Sequence, residues 1–272
     1  MKEYQLEIKQ IADYPKCRIY RGFIQSLIAD HRLHAGPASH LFHYTVLCCY
    51  ANFRTSYLRL EGVSYTIRPG EWICRVSDLM RWFRVRFQHQ VLSILEDLQN
   101  LHLITFSEIR KKCIIRYRIA GWKKYNTVLD YNCPCQKESG FFFMPISLTT
   151  KLLGKVRASE MDILLDLWLN TIYMDSNVCG SDLGPVVYFR NGSGSPLLSY
   201  SDLAQRWRCS RSSVGRLLKR LSLHGYISLI SFPGRNGSAI YLNSYLSVMF
   251  QISDTPICRE AVAVSLNIHL PL

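Results

Sequence analysis

Ser199-Tyr200-Ser201-Asp202-Leu203-Ala204-Gln205-Arg206-Trp207-Arg208-Cys209-Ser210-Arg211-Ser212-Ser213-Val214-Gly215-Arg216-Leu217-Leu218-Lys219-Arg220-Leu221-Ser222-Leu223-His224-Gly225-Tyr226-Ile227 is the stretch on which the fold turns. Val214, Leu217, Leu218 and Leu221 recur at the spacing of one apolar helix face. Ser199 or Ser201 suits the cap of a shorter helix before it, with Asp202 in the first turn. Ser210 suits the cap of the longer helix, and Gly225 stands where a helix-ending glycine would. Residues 226–232 then read as a strand, Pro233-Gly234-Arg235-Asn236-Gly237-Ser238 as a turn and residues 239–242 as the returning strand. Helix, turn, helix and a hairpin with a polar tip describe a winged helix.

A weaker copy lies upstream. Ser77-Asp78-Leu79-Met80-Arg81-Trp82-Phe83 parallels Ser201-Asp202-Leu203-Ala204-Gln205-Arg206-Trp207, and Val91, Ile94, Leu95 and Leu98 repeat the helix-face spacing. The endings also match, Leu98-Gln99-Asn100-Leu101-His102-Leu103-Ile104 against Leu221-Ser222-Leu223-His224-Gly225-Tyr226-Ile227. The upstream turn is one residue longer, with Arg86-Phe87 where a capping Ser or Thr normally stands. Arg68-Pro69-Gly70-Glu71 suits a type II turn and residues 72–74 a short strand before the motif. Residues 103–107 and 113–119 read as wing strands around 108–112.

Residues 41–53 are apolar nearly all round, as in a buried helix. Ser159 and Asp162 resemble a capping box before a helix over 161–173, with Leu164, Leu167, Trp168 and Ile172 as its core face. The expected fold class is α+β, mainly α with small β wings, as two winged helix-turn-helix domains in tandem. The expected boundaries are an N-terminal domain at 1–125, a linker at 126–140, a second domain at 141–250 and a tail at 251–272. The tail alternates loosely through Val262, Val264, Leu266, Ile268 and Leu270 and reads as a strand that pairs with its own domain or with a second subunit in a homodimer.

The chain has 272 residues, and 33 Lys and Arg against 20 Asp and Glu leave it at +13. Before residue 140 there are 21 basic and 12 acidic residues, a surplus of +9; after it there are 12 and 8, a surplus of +4. An excess of this sign seeks phosphates or an anionic surface. The longest stretch without Lys, Arg, Asp or Glu, residues 33–53, contains Gly36, Pro37, Asn52 and three histidines, so no membrane span is expected. No export signal is read at Met1–Glu7, and a cytoplasmic location is expected. The ten cysteines are expected to be reduced and structural, because the close pairs Cys48-Cys49 and Cys133-Pro134-Cys135 lack a matching second half for zinc. Neither His31-x-x-His34 nor His40-x-x-His43 has the Glu of a zinc hydrolase site, and Gly154-Lys155-Val156 is no phosphate loop. No enzyme, cofactor or metal site is expected.

Two resemblances follow from these motifs. Residues 41–125 resemble the N-terminal winged-helix module of phage and plasmid replisome-organiser proteins (DnaD-like). The residues that carry it are Tyr50-Ala51-Asn52, Ile67-x-Pro69-Gly70-Glu71-Trp72, the motif itself and Trp122-x-x-Tyr125. Residues 141–245 resemble the winged helix that opens RepA-type plasmid replication initiators. The carriers there are Phe143-Met144-Pro145, Leu164-Leu165-Asp166-Leu167, Val187-Tyr188, Ser201-Asp202-Leu203 and Ser210-x-x-x-Val214-x-x-x-Leu218-x-x-Leu221. The resemblance implies recognition of an origin or operator of a mobile genetic element.

The binding residues expected from the second motif are Arg211, Ser212, Ser213 and Arg216 as base readers, with Lys219, Arg220, Arg206 and Arg208 towards the backbone. Six basic and no acidic residues fall between Arg206 and Arg220. Gly215 is read as a point of close approach to DNA or a tolerated flaw. Arg84, Arg86, Gln88, His89, Gln90 and Ser93 take the equivalent outer places of the first motif, while Trp82, Phe83 and Phe87 are assigned to the core. Arg110, Lys111, Lys112, Arg116 and Arg118 make a basic wing, and Arg235 with Asn236 tips the other. The expected partner is double-stranded DNA. Two alternatives stand beside replication initiation: a transcriptional regulator, and a module that spends one winged helix on DNA and the other on a replication or partner protein.

Overall fold

The computed structural model describes residues 9–109, 113–126, 140–153, 157–232 and 237–268. Among them are eleven helices and eleven strands, about 41% helix and 24% strand, with antiparallel sheets of two to four strands and no closed barrel. The chain is α+β, but the expectation of a mainly α chain of tandem winged helices with small β wings is corrected: strands make up about 24% of it and lie in sheets of two to four. In the first unit the reason is that a further hairpin, Ser56–Ile67, covers one face of the sheet that holds the expected wing strands.

The described residues within Lys16–Leu148 and Ala158–Asp162 form a first unit; those within Met1–Pro15, Thr149–Arg157 and Ile163–Leu272 form a second. This division differs from a cut at residue 140. β1 (Lys16–Tyr20) pairs along its whole length with a strand from residues expected in the second domain, Phe141–Pro145. Gln10 bridges to Tyr173, and the Ala12 amide donates to Asp175 at 2.7 Å, which ties residues 9–15 into the second unit. Most of the expected linker, 127–139, lies outside the described residues.

The first unit continues with α1 (Arg21–Ala29), α2 (His40–Tyr50), β2 (Ser56–Leu60), β3 (Val63–Ile67), β4 (Glu71–Arg75), α3 (Val76–Phe83), α4 (Gln88–Asn100), β5 (Ile104–Ile109), β6 (Ile114–Ile119), α5 (Trp122–Tyr125) and β7 (Phe141–Pro145). β6 is the central strand of the sheet β4-β6-β5. One face buries Cys74, Ile104, Ile115, Tyr117 and Ile119, and the Tyr117 hydroxyl donates to the Leu47 carbonyl of α2 at 2.9 Å. Residues 40–49 of α2 are all buried, as its all-round apolarity predicts. On the opposite face Ile73, Ile109 and Ile114 pack against Leu58, Leu60, Tyr65 and Ile67 of the β2–β3 hairpin. The type II turn forms as expected: the Glu71 amide donates to the Arg68 carbonyl at 3.0 Å, and Gly70 has φ +80°. A Cβ at Gly70 would stand 2.7 Å from that of Trp122, so the position requires glycine twice over.

α6 (Ser147–Leu153) and α7 (Glu160–Leu169) begin in the first unit and end in the second. Ser159 and Asp162 form the reciprocal capping box, at 3.1 and 3.3 Å. α7 stops at Leu169, short of the expected 173. The Asn170 side-chain Nδ2 donates to the Asp166 carbonyl and the Thr171 hydroxyl to the Leu167 carbonyl, both at 2.8 Å, which satisfies two carbonyls of the last turn from side chains. Ile172 is therefore in a strand, β8 (Thr171–Ile172), and not on the helix face.

The second unit goes on through β9 (Val186–Val187), α8 (Tyr200–Trp207), α9 (Arg211–Leu223), β10 (Ile227–Phe232), β11 (Gly237–Leu242), α10 (Tyr245–Phe250) and α11 (Arg259–Ser265). Its sheet order is β10-β11-β9-β8. The strand before the helix pair thus joins the last hairpin strand in both units, β4 to β6 and β9 to β11. Val186, Tyr188, Ile230, Phe232, Ala239 and Tyr241 form one apolar cluster with Val262 and Ala263. The last two come from α11, in the tail. The expectation of a tail strand open to a second subunit is corrected: apolar residues 262, 263 and 266 share one side of a short helix folded onto its own unit.

Candidate nucleic-acid interface

α8 and α9 form the helix-turn-helix of the second unit. The Ser199 hydroxyl accepts from the Asp202 amide at 3.1 Å and the Ser210 hydroxyl from the Ser213 amide at 3.2 Å. Arg208 ends α8 in the left-handed region, φ +50°, and the Cys209 amide closes on the Ala204 carbonyl at 3.0 Å. α9 ends in a Schellman motif: the Gly225 amide donates to Ser222 and the Tyr226 amide to Leu221, each at 3.0 Å. Val214, Leu218 and Leu221 are buried. Arg211, Ser212, Arg216, Lys219 and Arg220 are exposed along the other side, and Arg208 is exposed in the turn. Ser213 is half-buried, with its hydroxyl 2.9 Å from that of Ser210. Gly215 serves helix packing: a Cβ there would lie 3.2 Å from the Tyr200 ring of α8.

Arg206 has another role than the one expected. Its Nε and Nη2 each donate at 2.7 Å to the carboxylate of Asp166, which is fully buried, and its guanidinium lies 4.1 Å from the Phe189 ring centroid. The Trp207 Nε1 donates to the same carboxylate at 2.9 Å. Arg206 is therefore a partner of a buried acid rather than a phosphate contact. Its place in one basic run, two residues before Arg208 and five before Arg211, hid this, because the acid comes from α7, 40 residues earlier.

In the first unit the backbone repeats the pattern with different side-chain use. Arg84 ends α3 at φ +57°, and the Val85 amide closes on Met80 at 3.0 Å. The Arg84 Nη1 donates to the carbonyls of Asp30 and Leu33, at 2.8 and 2.9 Å, so its fork ties down the 30–33 loop. Phe87 holds the N-cap position of α4 and offers no acceptor; Gln90 substitutes, its Oε1 accepting from the amides of Arg86 and Phe87 at 3.1 Å. Arg84 and Gln90 are thereby withdrawn from the expected readers. Phe87 is not core, being 57% exposed and stacked on His89 at 5.5 Å, whereas Trp82 and Phe83 are buried. Arg86, Gln88, His89 and Ser93 are exposed, but the same helix also exposes Glu96 and Asp97 and carries no Lys or Arg. At the wing, the Arg116 Nη2 donates to Glu71 at 2.7 Å and to the Thr66 carbonyl at 3.0 Å, which withdraws Arg116 as well. Burial pushes the Glu71 carboxyl up; hydrogen bonds from Arg116 and the Arg68 amide, with the charges of Arg116 and Arg118, outweigh it and hold the group below its usual range. Arg110, Lys111, Lys112, Arg235 and Asn236 lie outside the described residues, as do Cys133 and Cys135.

Among the described residues no three His, Cys, Asp or Glu side chains gather as a metal would need, and no helix is long and apolar enough to cross a membrane. No family model, no curated protein and no solved structure matches the chain.

Sequence reasoning passed over the β2–β3 hairpin. Its signal is present: residues 56–67 alternate, and Glu61-Gly62 form a two-residue loop with φ +50° and +80°, the type I′ geometry that twists with its strands. The hairpin exposes Tyr57 by 80%.

Proposed function

We propose that the chain is a cytoplasmic, non-enzymatic, sequence-specific double-stranded-DNA-binding protein of the replication-initiator kind from a mobile genetic element, with α9 as its reading helix. The observation that carries this is the surface of the second helix-turn-helix. Arg208, Arg211, Arg216, Lys219 and Arg220 are exposed on it, no acidic residue lies between Arg206 and Arg220, and both helices are capped by serines that leave these side chains outward. Arg211 and Arg216, on the N-terminal half of α9, are placed to meet base edges. Lys219 and Arg220, a turn further on, are placed to meet phosphates.

A second reading is favoured for the first unit. With Arg84, Gln90 and Arg116 engaged internally and Glu96 and Asp97 exposed on α4, that helix suits a protein partner better than a phosphate backbone. The test is selection of bound fragments from random duplex DNA, followed by titration of the selected site. Arg211→Ala and Arg216→Ala are each expected to weaken the selected site about tenfold or more, in line with the roughly 1–3 kcal/mol of a bidentate base contact. Gln88→Ala with His89→Ala is expected to change it less than twofold. Selection of no sequence, or equal losses from both pairs, overturns the assignment of α9. The positions of the sites, in an origin or over a promoter, separate replication from transcriptional control.

A further inference from the structure

The β2–β3 hairpin alternates strictly between two faces. Leu58, Leu60, Tyr65 and Ile67 point to the sheet beneath and belong to its apolar cluster. The cross-strand pairs Tyr57↔Thr66 and Arg59↔Ser64 point the other way, and all four are exposed. Tyr57 is the most exposed of the large hydrophobic side chains described, at 80%. An aromatic ring held clear of the surface on a paired strand is not a by-product of packing, because its inward neighbour Leu58 already anchors the strand.

The surroundings are cationic. Arg116 reaches from β6 to the Thr66 carbonyl, which sets the outer end of β6 beside the hairpin. Arg118, two residues on and on the same face of the sheet, is exposed, as is Arg68 after β3. The carboxylates nearby are spoken for: Glu61 pairs with Arg75 at 3.2 Å, and Glu71 is buried against Arg116 at 2.7 Å. Arg118 is on the sheet face that the hairpin covers, whereas Arg59 shares the outward side of the hairpin with the exposed ring, Arg68 directly follows β3, and Ser64 and Thr66 add hydroxyls.

We propose that this face binds single-stranded nucleic acid, with a base stacked on Tyr57 and the backbone held by Arg59 and Arg68. An exposed ring beside cations on a sheet favours an unpaired strand, because a duplex hides its base faces and offers only groove edges. The face is independent of α9, so the chain carries one surface for duplex and another for a single strand.

The experiment uses the full chain with labelled dT15, U15 and a 15-base-pair duplex at low salt. Wild type is expected to bind both single strands; a preference between dT15 and U15 tells whether the natural strand is DNA or RNA. Tyr57→Ala should weaken single-strand binding between about fivefold and 150-fold, the range of one base–aromatic stack, and Tyr57→Phe should restore it to within twofold. Arg59→Ala with Arg68→Ala should flatten the salt dependence by about 1.4, at roughly 0.7 per phosphate contact in a single strand. Arg211→Ala with Arg216→Ala should leave dT15 binding intact while it weakens the duplex, so failure here is distinct from failure of the duplex assignment. Absence of single-strand binding in wild type, unchanged binding in Tyr57→Ala with an unchanged urea midpoint, or loss of dT15 binding in the α9 variant would each overturn the proposal.

Discussion

Arg206 and Arg211 sit five residues apart in one basic run, yet their removal should have opposite consequences. Asp166 is fully buried and accepts from the Arg206 Nε and Nη2 at 2.7 Å, from the Trp207 Nε1 at 2.9 Å and from the Asn170 Nδ2 at 3.1 Å. Truncating Arg206 removes the only cation among these donors and leaves a buried carboxylate on two neutral ones. Breaking a buried pair from one side costs about 3–5 kcal/mol, and the two surviving hydrogen bonds put Arg206→Ala at the lower end, about 3 kcal/mol. Arg206→Lys keeps the charge but not the two-pronged geometry and should lose a smaller part. Arg206→Ala combined with Asp166→Leu should recover stability, because the stranded charge is then gone. Arg211→Ala, on an exposed side chain, should stay within about 0.5 kcal/mol of wild type. The assay is urea unfolding followed by tryptophan fluorescence, with Trp207 itself at the perturbed site, alongside duplex binding at a urea-free concentration where each variant is folded. If Arg206→Ala kept the wild-type urea midpoint and lost duplex affinity as Arg211→Ala does, the division between structural and reading arginines would be wrong.

Two further outcomes test the first unit. His43 is fully buried; that burial, with nearby His40, lowers its pKa from 6.5 to about 3 against a weaker opposing contact from the Phe83 backbone. The unfolded chain therefore takes up the proton first, so stability is full above about pH 6.5 and falls as the pH drops towards 3. Between pH 6.5 and 5 the loss should be about 2 kcal/mol, at roughly 1.4 kcal/mol per pH unit, and His43→Leu should flatten that slope in urea titrations. His102 ends α4 at φ +57°, in the place that Gly225 takes after α9, with the same pair of amide bonds to Gln99 and Leu98. His102→Gly should raise the unfolding free energy by about 1 kcal/mol, because glycine removes the left-handed penalty of a side chain; a lowered melting temperature would contradict this.

The helix pairs were legible because their signals are local. The spacing of Val214, Leu218 and Leu221, the caps Ser199 and Ser210 and the stop at Gly225 lie within a few residues of the structure they specify. Gly70 was readable for the same reason. What sequence could not supply was long-range pairing. Nothing around Phe141–Pro145 announces that it pairs with Lys16–Tyr20, and nothing around Ala261–Leu266 distinguishes a docked helix from a frayed strand until the opposing apolar sheet face is known. The site fell short in the same way. Arg84, Arg116 and Arg206 look like their exposed neighbours in sequence, and each is claimed by an acceptor 40 to 54 residues away. The β2–β3 hairpin was the exception, a local pattern with a Glu-Gly turn that went unread.

The two helix-turn-helix units therefore share a backbone grammar and differ in where arginine is spent. Both end the first helix on a left-handed arginine and the second on a Schellman motif. In the second unit the arginine that turns inward is Arg206, while Arg208 in the turn and Arg211, Arg216, Lys219 and Arg220 on α9 are exposed. In the first, Arg84 itself turns inward to the 30–33 loop, Phe87 displaces the capping serine and Gln90 is drawn back to cap in its place. The engagement of Gln90 withdraws one polar side chain from the outer side of α4, and Phe87 and His89 are left outward. Net charge is then a poor guide to the cations a surface presents, because the more basic half spends Arg84 and Arg116 on its own carbonyls and a carboxylate.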